Sequence, residues 1–353
     1  MSEGPAIRIT AEDLAKVTSP AGSSPGSTMT AAIPAEGKQY GNIHSQVESA
    51  AGEEEKKRNL FLESWFYLGV AGVIGAAVGW AICEPAFLDF SAAHRWGNIW
   101  MLPAIVTFMC LGFGLAESIA ERSPRKAAYR TALALPLGFV MGFVFDFLAN
   151  LFFSVFVNVG VSLGAHDFHN PILWVARALA WVVFGIAGGA VYGIVGMSSK
   201  KAQYGILGGM LGAGIGGLAF DPIALGLNHG GVSRGFGFML FGFFTGCAMG
   251  IVENALKDRW IFVSSGPLAG KQFILYKPRT TVGSQQSCDV YLFKDQSILP
   301  EHAVFEARGN RIQMTARGQV FVSGQPVRSR VLQSGDTLQI GRYSFQYREK
   351  TRS

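Results

Sequence analysis

Two hydrophobic patterns divide the chain. From Leu60 to Leu256 apolar residues run in long blocks, and from about Trp260 they alternate with polar ones. A helix needs about 20 apolar residues to cross a hydrocarbon core of roughly 30 Å. Six blocks approach or reach that length: Leu60–Cys83, Trp100–Ala120, Thr131–Asn150, Ile172–Val195, Gln203–Phe220 and Gly235–Leu256. Backbone polar groups in lipid must be bonded within their own segment, so these blocks are expected to be helices despite their glycines. The alternating region has the period of two that strands require. It shows at Gln272–Leu275, Asp289–Leu292, Ala303–Glu306, Arg311–Met314, Val320–Val322 and Thr337–Ile340, with turn residues at Gly309-Asn310, Ser323-Gly324 and Ser334-Gly335-Asp336. The pattern predicts a multi-domain chain: a disordered cytosolic tail at 1–57, a six-helix α-helical transmembrane bundle at 58–257, and an all-β sandwich at 258–353.

The bundle carries an internal repeat. Lys126-Ala127-Ala128-Tyr129 matches Lys201-Ala202-Gln203-Tyr204, Gly142 matches Gly217, and Phe145-Asp146 matches Phe220-Asp221. Tyr67, Gly75, Gly79 and Glu84-Pro85 match Tyr204, Gly212, Gly216 and Asp221-Pro222, so a tyrosine precedes an acid by 17 residues three times. At 1.5 Å per residue that interval is about 26 Å, near the core thickness. Each odd helix should then put a tyrosine at one interface and a carboxylate at the other. Gly114-Leu115-Ala116-Glu117 resembles Gly250-Ile251-Val252-Glu253, which makes the unit a helical hairpin used three times. Glycines four apart (Gly185, Gly189, Gly193; Gly208, Gly212, Gly216; Gly242, Gly246, Gly250) form ridges that allow backbones to approach closely. They suit a compact bundle and allow a homo-oligomer.

Charge orients the bundle. Basic residues gather before the first block (Lys56, Lys57, Arg58), between the second and third (Arg122, Arg125, Lys126, Arg130), between the fourth and fifth (Lys200, Lys201) and after the sixth (Lys257, Arg259). Basic loops stay on the cytoplasmic side, so both termini are expected there. Glu84, Asp146 and Asp221 would lie at the outer face, as an acidic ring at the mouth of a pathway or as helix-end residues, with Asp221 capping a short segment that starts at Pro222. Arg177, near the outer end of the fourth block, could pair with a carboxylate such as Asp146 or reach the interface. His94, His166, His169 and His229 fall in the outer loops with Asp89 and Asp167, without metal-ligand spacing; only His44 and His302 lie elsewhere. The four cysteines suggest neither a zinc site nor a disulfide framework. No metal or cofactor is expected. The tail lacks a secretory signal pattern, could form a short helix at Ile7–Val17 capped by Thr10 with Asp13, and offers Thr18-Ser19-Pro20 and Ser24-Pro25 for phosphorylation.

After the sixth block, Gly266-Pro267-Leu268-Ala269-Gly270, Val282-Gly283-Ser284, Cys288-Asp289-Val290-Tyr291-Leu292, His302-Ala303, Ser323-Gly324-Gln325-Pro326-Val327 and Gly335-Asp336-Thr337-Leu338-Gln339-Ile340-Gly341 follow in an order that resembles the forkhead-associated (FHA) family, over about 260–349. The resemblance implies a β-sandwich whose loops bind phosphothreonine peptides. Its peptide-binding loops fall on Gly283, Ser284, Leu299, Pro300, His302, Ser323 and Gly324. Ser284 stands where the family has arginine, Leu299-Pro300 where it has Ser-Arg, and Ser323 where it has asparagine. Phosphate is held by charge-assisted donors, so these loops should bind phosphate poorly unless Arg279, Arg308, Arg328 or Arg330 substitutes. Residues 258–353 hold 14 basic against 7 acidic residues, which favours anionic lipid over a neutral surface; no recognition helix or stacking motif points to nucleic acid. The expectation is a non-enzymatic membrane protein whose FHA-like module binds an unphosphorylated protein partner or packs on its own membrane domain. The alternative is a small-solute or ion transporter or channel regulated by that module. Its three-hairpin plan is similar to that of mitochondrial carriers, but their Pro-x-acidic-x-x-basic signature is missing.

Overall fold

The computed structural model of the chain describes residues 60–88, 96–165, 167, 169–227, 230–309 and 311–350. The tail features, His44, Asp89, His94, His166 and His229 lie outside these residues.

Six helices are long and apolar enough to cross a membrane: α1 Ser64–Cys83, α2 Trp96–Ala120, α3 Pro124–Ser162, α4 Pro171–Val195, α5 Ser199–Leu227 and α6 Gly230–Leu256. Each lies against the next and α6 returns to α1, so three hairpins close a ring; α2 also meets α4 across it. In every hairpin the even helix is the more buried, which puts α2, α4 and α6 inside and α1, α3 and α5 outside. The outer surface is apolar at positions such as Ile74, Val140, Phe147, Leu151 and Leu211, the side chains that lipid tails accommodate.

Two helices run further than their apolar blocks suggested. α3 spans 39 residues, about 58 Å, so Asp146 sits well inside it and not at its outer end. α5 continues through Pro222 to Leu227, so Asp221 neither ends a helix nor caps a new one. Residues 151–162 are themselves apolar, and a proline costs one helix hydrogen bond that packing can tolerate. Only the first repeat breaks as expected: α1 stops at Cys83 and Glu84–Ala86 form a 3-10 turn with Pro85 near its start.

The repeat recurs in the turns. Arg122 and Met197, 75 residues apart, both adopt left-handed backbone, with φ of 52° and 51°. Each is followed by a serine whose hydroxyl caps the next helix: Lys126 N donates to Ser123 Oγ at 3.4 Å and Lys201 N to Ser198 Oγ at 3.3 Å. An L-residue pays roughly 1–2 kcal/mol for this conformation. Met197 is exposed, so Met197→Gly should raise stability by about 0.5–1 kcal/mol, read as a higher Tm of the detergent-solubilised protein. At Arg122 the same change should gain less, because its guanidinium lies 5.8 Å from the Phe293 ring centroid and that contact would be lost.

The glycine ridges each form one seam. A Cβ on Gly185 or Gly189 of α4 would lie 2.2 Å from the α5 backbone, one on Gly212 would lie 2.3 Å from α6, and one on Gly246 would lie 2.1 Å from α1. The backbones touch there, and only hydrogen fits.

Two residues after α6, the chain enters the sandwich. One sheet runs β2-β1-β11-β10-β7-β8 and the other β4-β3-β5-β6-β9. The strands are β1 Arg259–Ser265, β2 Gln272–Ile274, β3 Arg279–Gly283, β4 Val290–Tyr291, β5 Ala303–Arg308, β6 Arg311–Ala316, β7 Phe321–Val322, β8 Gln325–Pro326, β9 Ser329–Leu332, β10 Thr337–Ile340 and β11 Tyr343–Glu349. Alternate residues Tyr343, Phe345 and Tyr347 point inward from β11 and meet Ile261, Val282, Phe305, Met314 and Leu338 in one core.

Candidate functional site

The loops at one end of the sandwich are built by local backbone needs. Gly283 ends β3, and a Cβ there would lie 2.1 Å from the Pro300 carbonyl oxygen. Ser284 N donates to Leu299 O at 3.0 Å, and its hydroxyl turns inward to donate to Ile298 O at 2.8 Å. His302 is buried; Leu299 N donates to its Nδ1 at 3.1 Å, which leaves Nε2 to donate to Gln319 O at 3.0 Å. The histidine thus ties the β4–β5 loop to the β6–β7 loop. Leu299 and Pro300 are exposed at the tip. Ser323 and Gly324 turn with φ of 49° and 80°, and the Ser323 hydroxyl donates to Asp336 at 3.4 Å. Gly283→Ala should therefore displace the tip and destabilise the sandwich by about 1–3 kcal/mol, visible as faster amide exchange at 298–302.

Three of the four arginines that could replace the missing phosphate donors are committed to carboxylates: Arg279 to Glu301 at 2.9 Å, Arg308 to Glu306 at 3.5 Å and Arg330 to Asp336 at 3.2 Å. Arg317 also reaches Glu301, at 3.4 Å. The tip itself presents Leu299 and Pro300, neither of which carries a charge.

The β3–β4 side of this loop set faces the bundle. Lys126 Nζ donates to Asp289 O at 2.7 Å, Arg125 N to the Gln286 side chain at 3.3 Å, and Ser123 Oγ to Gln286 O at 3.5 Å. Further along, Tyr276 OH donates to Glu253 at 2.6 Å and its ring lies 6.1 Å from that of Tyr204. The three repeat tyrosines Tyr67, Tyr129 and Tyr204 thus share the bundle end that carries the sandwich, as the 17-residue interval implied. Between bundle and sandwich lies a cavity of about 200 Å³. Its walls include Glu117, bonded to Lys201 and Arg130, and Glu121, which takes Lys126 Nζ at 2.7 Å.

Burial and then the Glu253 charge hold the Tyr276 hydroxyl well above its ordinary pKa, so it remains a donor. Burial alone would raise Asp289, but hydrogen bonds from Lys277 at 2.7 Å and from Thr281 N at 2.9 Å outweigh it and hold the carboxyl below its usual range. A depressed folded pKa stabilises above the unfolded pKa and is lost as pH falls through the folded value. The loop at 284–289 should therefore exchange slowly at pH 6 and loosen below about pH 4. D289N should show the loose loop already at pH 6, at a cost of about 1–3 kcal/mol.

At the other end of the bundle, the three repeat acids meet different partners. Glu84 takes Arg234 Nη2 at 2.5 Å and Trp80 Nε1 at 2.8 Å. Asp221 takes Arg177 Nε at 2.8 Å, with the guanidinium over Phe153 and Phe220. Asp146 accepts from Asn150 Nδ2 at 3.1 Å. Arg177 therefore pairs with Asp221 and not with Asp146, because it rises from α4 toward α5. His169 is exposed, 3.7 Å from Asp167. Among the described residues no group of three or more His, Cys, Asp and Glu is placed to hold a metal, and the four cysteines are buried and unpaired.

The FHA-like module thus packs on its own membrane domain, one of the two roles its substituted loops allow, and the residues of the seam lie at the repeat's lysine and tyrosine positions.

Residues 263–351 match a family described as the inner membrane component of T3SS, cytoplasmic domain. The chain is 35% identical over 101 residues to the glycogen accumulation regulator GarA of Mycolicibacterium smegmatis, covering 28% of this chain and 63% of that protein. It is 32% identical over 96 residues to the oxoglutarate dehydrogenase inhibitor of Corynebacterium diphtheriae, covering 26% and 66%. The chain thus spans less than two thirds of either relative. Among solved structures, it is similar to the cytoplasmic domain of the T3SS sorting platform protein PscD from P. aeruginosa, with 25% identity, a TM-score of 0.24, and 27% of this chain and 83% of that one covered. The C-terminal sandwich is a forkhead-associated domain, and the chain is a membrane protein that carries it behind six apolar helices.

Proposed function

We propose that this protein sits in a bacterial inner membrane with both termini cytosolic and uses its FHA domain to recruit a protein partner without a phosphate requirement. The placement is supported by the basic loops at the bundle end that carries the sandwich, and by the matched family's description as an inner-membrane component with a cytoplasmic domain. The observation that carries the binding mode is the tip of the loop set. Ser284 spends its hydroxyl on Ile298 O, and Leu299 and Pro300 face outward where phosphate donors would stand. An exposed apolar tip flanked by paired arginines suits a neutral or apolar segment. The bundle anchors and orients this surface; Arg234–Glu84 and Arg177–Asp221 serve as internal ties between helices, so a transport pathway is not required to account for Glu84 and Asp221. The relatives named as a regulator and an inhibitor agree with a binding role and no catalysis of its own.

The test uses the full-length protein in detergent against paired peptide libraries, identical except for phosphorylation of threonine. The expected result is selection of the same sequences from both libraries, with L299D abolishing it. Binding confined to phosphothreonine peptides contradicts the proposal and leaves the substituted loops to be explained by the remaining arginine, Arg328.

A further inference from the structure

The cavity between bundle and sandwich has an unmet chemical need. Lys271 is 3% exposed, and its Nζ is the buried side-chain nitrogen or oxygen among the described residues that finds no hydrogen-bond partner. It lines the cavity, with the ring centroids of Tyr67 and Phe273 5.5 and 5.4 Å from its Nζ. An unbonded ammonium away from water is costly.

The carboxylates around it do not meet that need. Glu117 is held by Lys201 and Arg130, Glu121 by Lys126, Glu253 by Tyr276 and Tyr192, and Asp289 by Lys277 and Thr281. Each acid in the wall has a donor; the one buried side-chain group without a partner among the described residues is a donor. The lining has five basic side chains against four acidic ones, so a bound anion also balances its charge. The repeat gives the same answer. Lys126 and Lys201 occupy matching positions in the second and third repeats, and the first has Ser64 there. Lys271 enters from the sandwich over Tyr67, three residues on, and completes the set of three lysines. Two of these hold glutamates, and the third lines a space larger than one water.

We propose that this cavity binds a phosphate-class oxyanion, with Lys271 as its principal donor and the FHA domain and bundle as its two walls. The site is separate from the peptide loops and independent of what those loops recognise. Free phosphate and a phospholipid headgroup share the required chemistry.

The probe is inorganic phosphate, titrated by calorimetry into the full-length protein in a phosphate-free detergent at constant ionic strength. The expected result is saturable binding at one site, weakened about tenfold or more by Lys271→Met and kept by Lys271→Arg. Met fills the space without an unpaired charge, so K271M should remain monodisperse and melt no lower than the parent. A second arm weighs phospholipid retained through purification by native mass spectrometry. Retention by the parent and loss in K271M, with no response to free phosphate, upholds the site and assigns it to a lipid headgroup. Should K271M not fold, the parent titration and K271R decide. Absence of both phosphate binding and retained phospholipid in the parent, or binding unchanged by K271M, overturns the proposal.

Discussion

Gly189→Ala should cost this protein about 3 kcal/mol, at the upper end of what overpacking brings, and separate α4 from α5. The added carbon would lie 2.2 Å from the Gly205 carbonyl carbon and 2.3 Å from its oxygen and from Ile206 N. These are backbone atoms, so no rotamer change relieves the clash. The helices must move apart, which breaks the matching contact of Gly185 with Gly209 one turn away. In lipid no hydrophobic force drives the helices together, so close packing holds the seam. The control is Gly226→Ala in α5, where nothing lies within 4 Å of the new carbon. It should be neutral or stabilise by up to about 1 kcal/mol through helix propensity. Thermal unfolding in detergent, followed by size-exclusion chromatography, separates the two outcomes. Equal effects of both alanines would remove the basis for reading the glycine ridges as backbone seams.

The second large effect is expected at the Arg177–Asp221 pair. Asp221 is 7% exposed and Arg177 21%, and they join α4 to α5 across 2.8 Å. Removing one partner of a buried pair leaves a stranded charge and costs about 3–5 kcal/mol, whereas replacing both with apolar residues is often close to neutral. Arg177→Met should therefore unfold much of the protein at temperatures the parent tolerates, and R177M/D221L should recover most of the loss. That recovery is the signature of a tie between helices. If the double variant were no better than R177M, the carboxylate would have work beyond holding Arg177, and the three repeat acids would return as candidates for a pathway.

Much of this architecture can be read from the residues, for identifiable reasons. Long apolar blocks and a change to a period of two are strong signals, and they place six helices and a sandwich. Repeated Tyr-to-acid spacing makes three hairpins visible, and glycine spacing marks the seams without naming the partner helix. The order of glycine and turn motifs was enough for the FHA domain. What escaped was set by neighbours. The ends of α3 and α5 depend on packing that carries a helix past Asp146 and through Pro222. Arg177 chose Asp221 because of where α4 meets α5, which spacing along one helix does not specify. β1 does not read as an alternating strand because Ile261, Phe262 and Val263 are buried in succession, and β8 is only two exposed residues. Lys271 gave no signal at all. A lysine after a glycine reads as an exposed turn residue, and its burial follows only from the way the sandwich sits on the bundle.

That arrangement is the central claim, and a crosslink tests it most directly. Arg125 N and the Gln286 side chain are 3.3 Å apart, joining the first turn of α3 to the β3–β4 loop. The four native cysteines are buried, so R125C/Q286C supplies two accessible thiols. In the full-length protein in detergent, a short bifunctional thiol reagent should join them rapidly and within one chain, and each single variant should only be labelled. Complete labelling of both thiols with no intramolecular crosslink would contradict the seating of the FHA domain on the bundle, and with it the cavity between them.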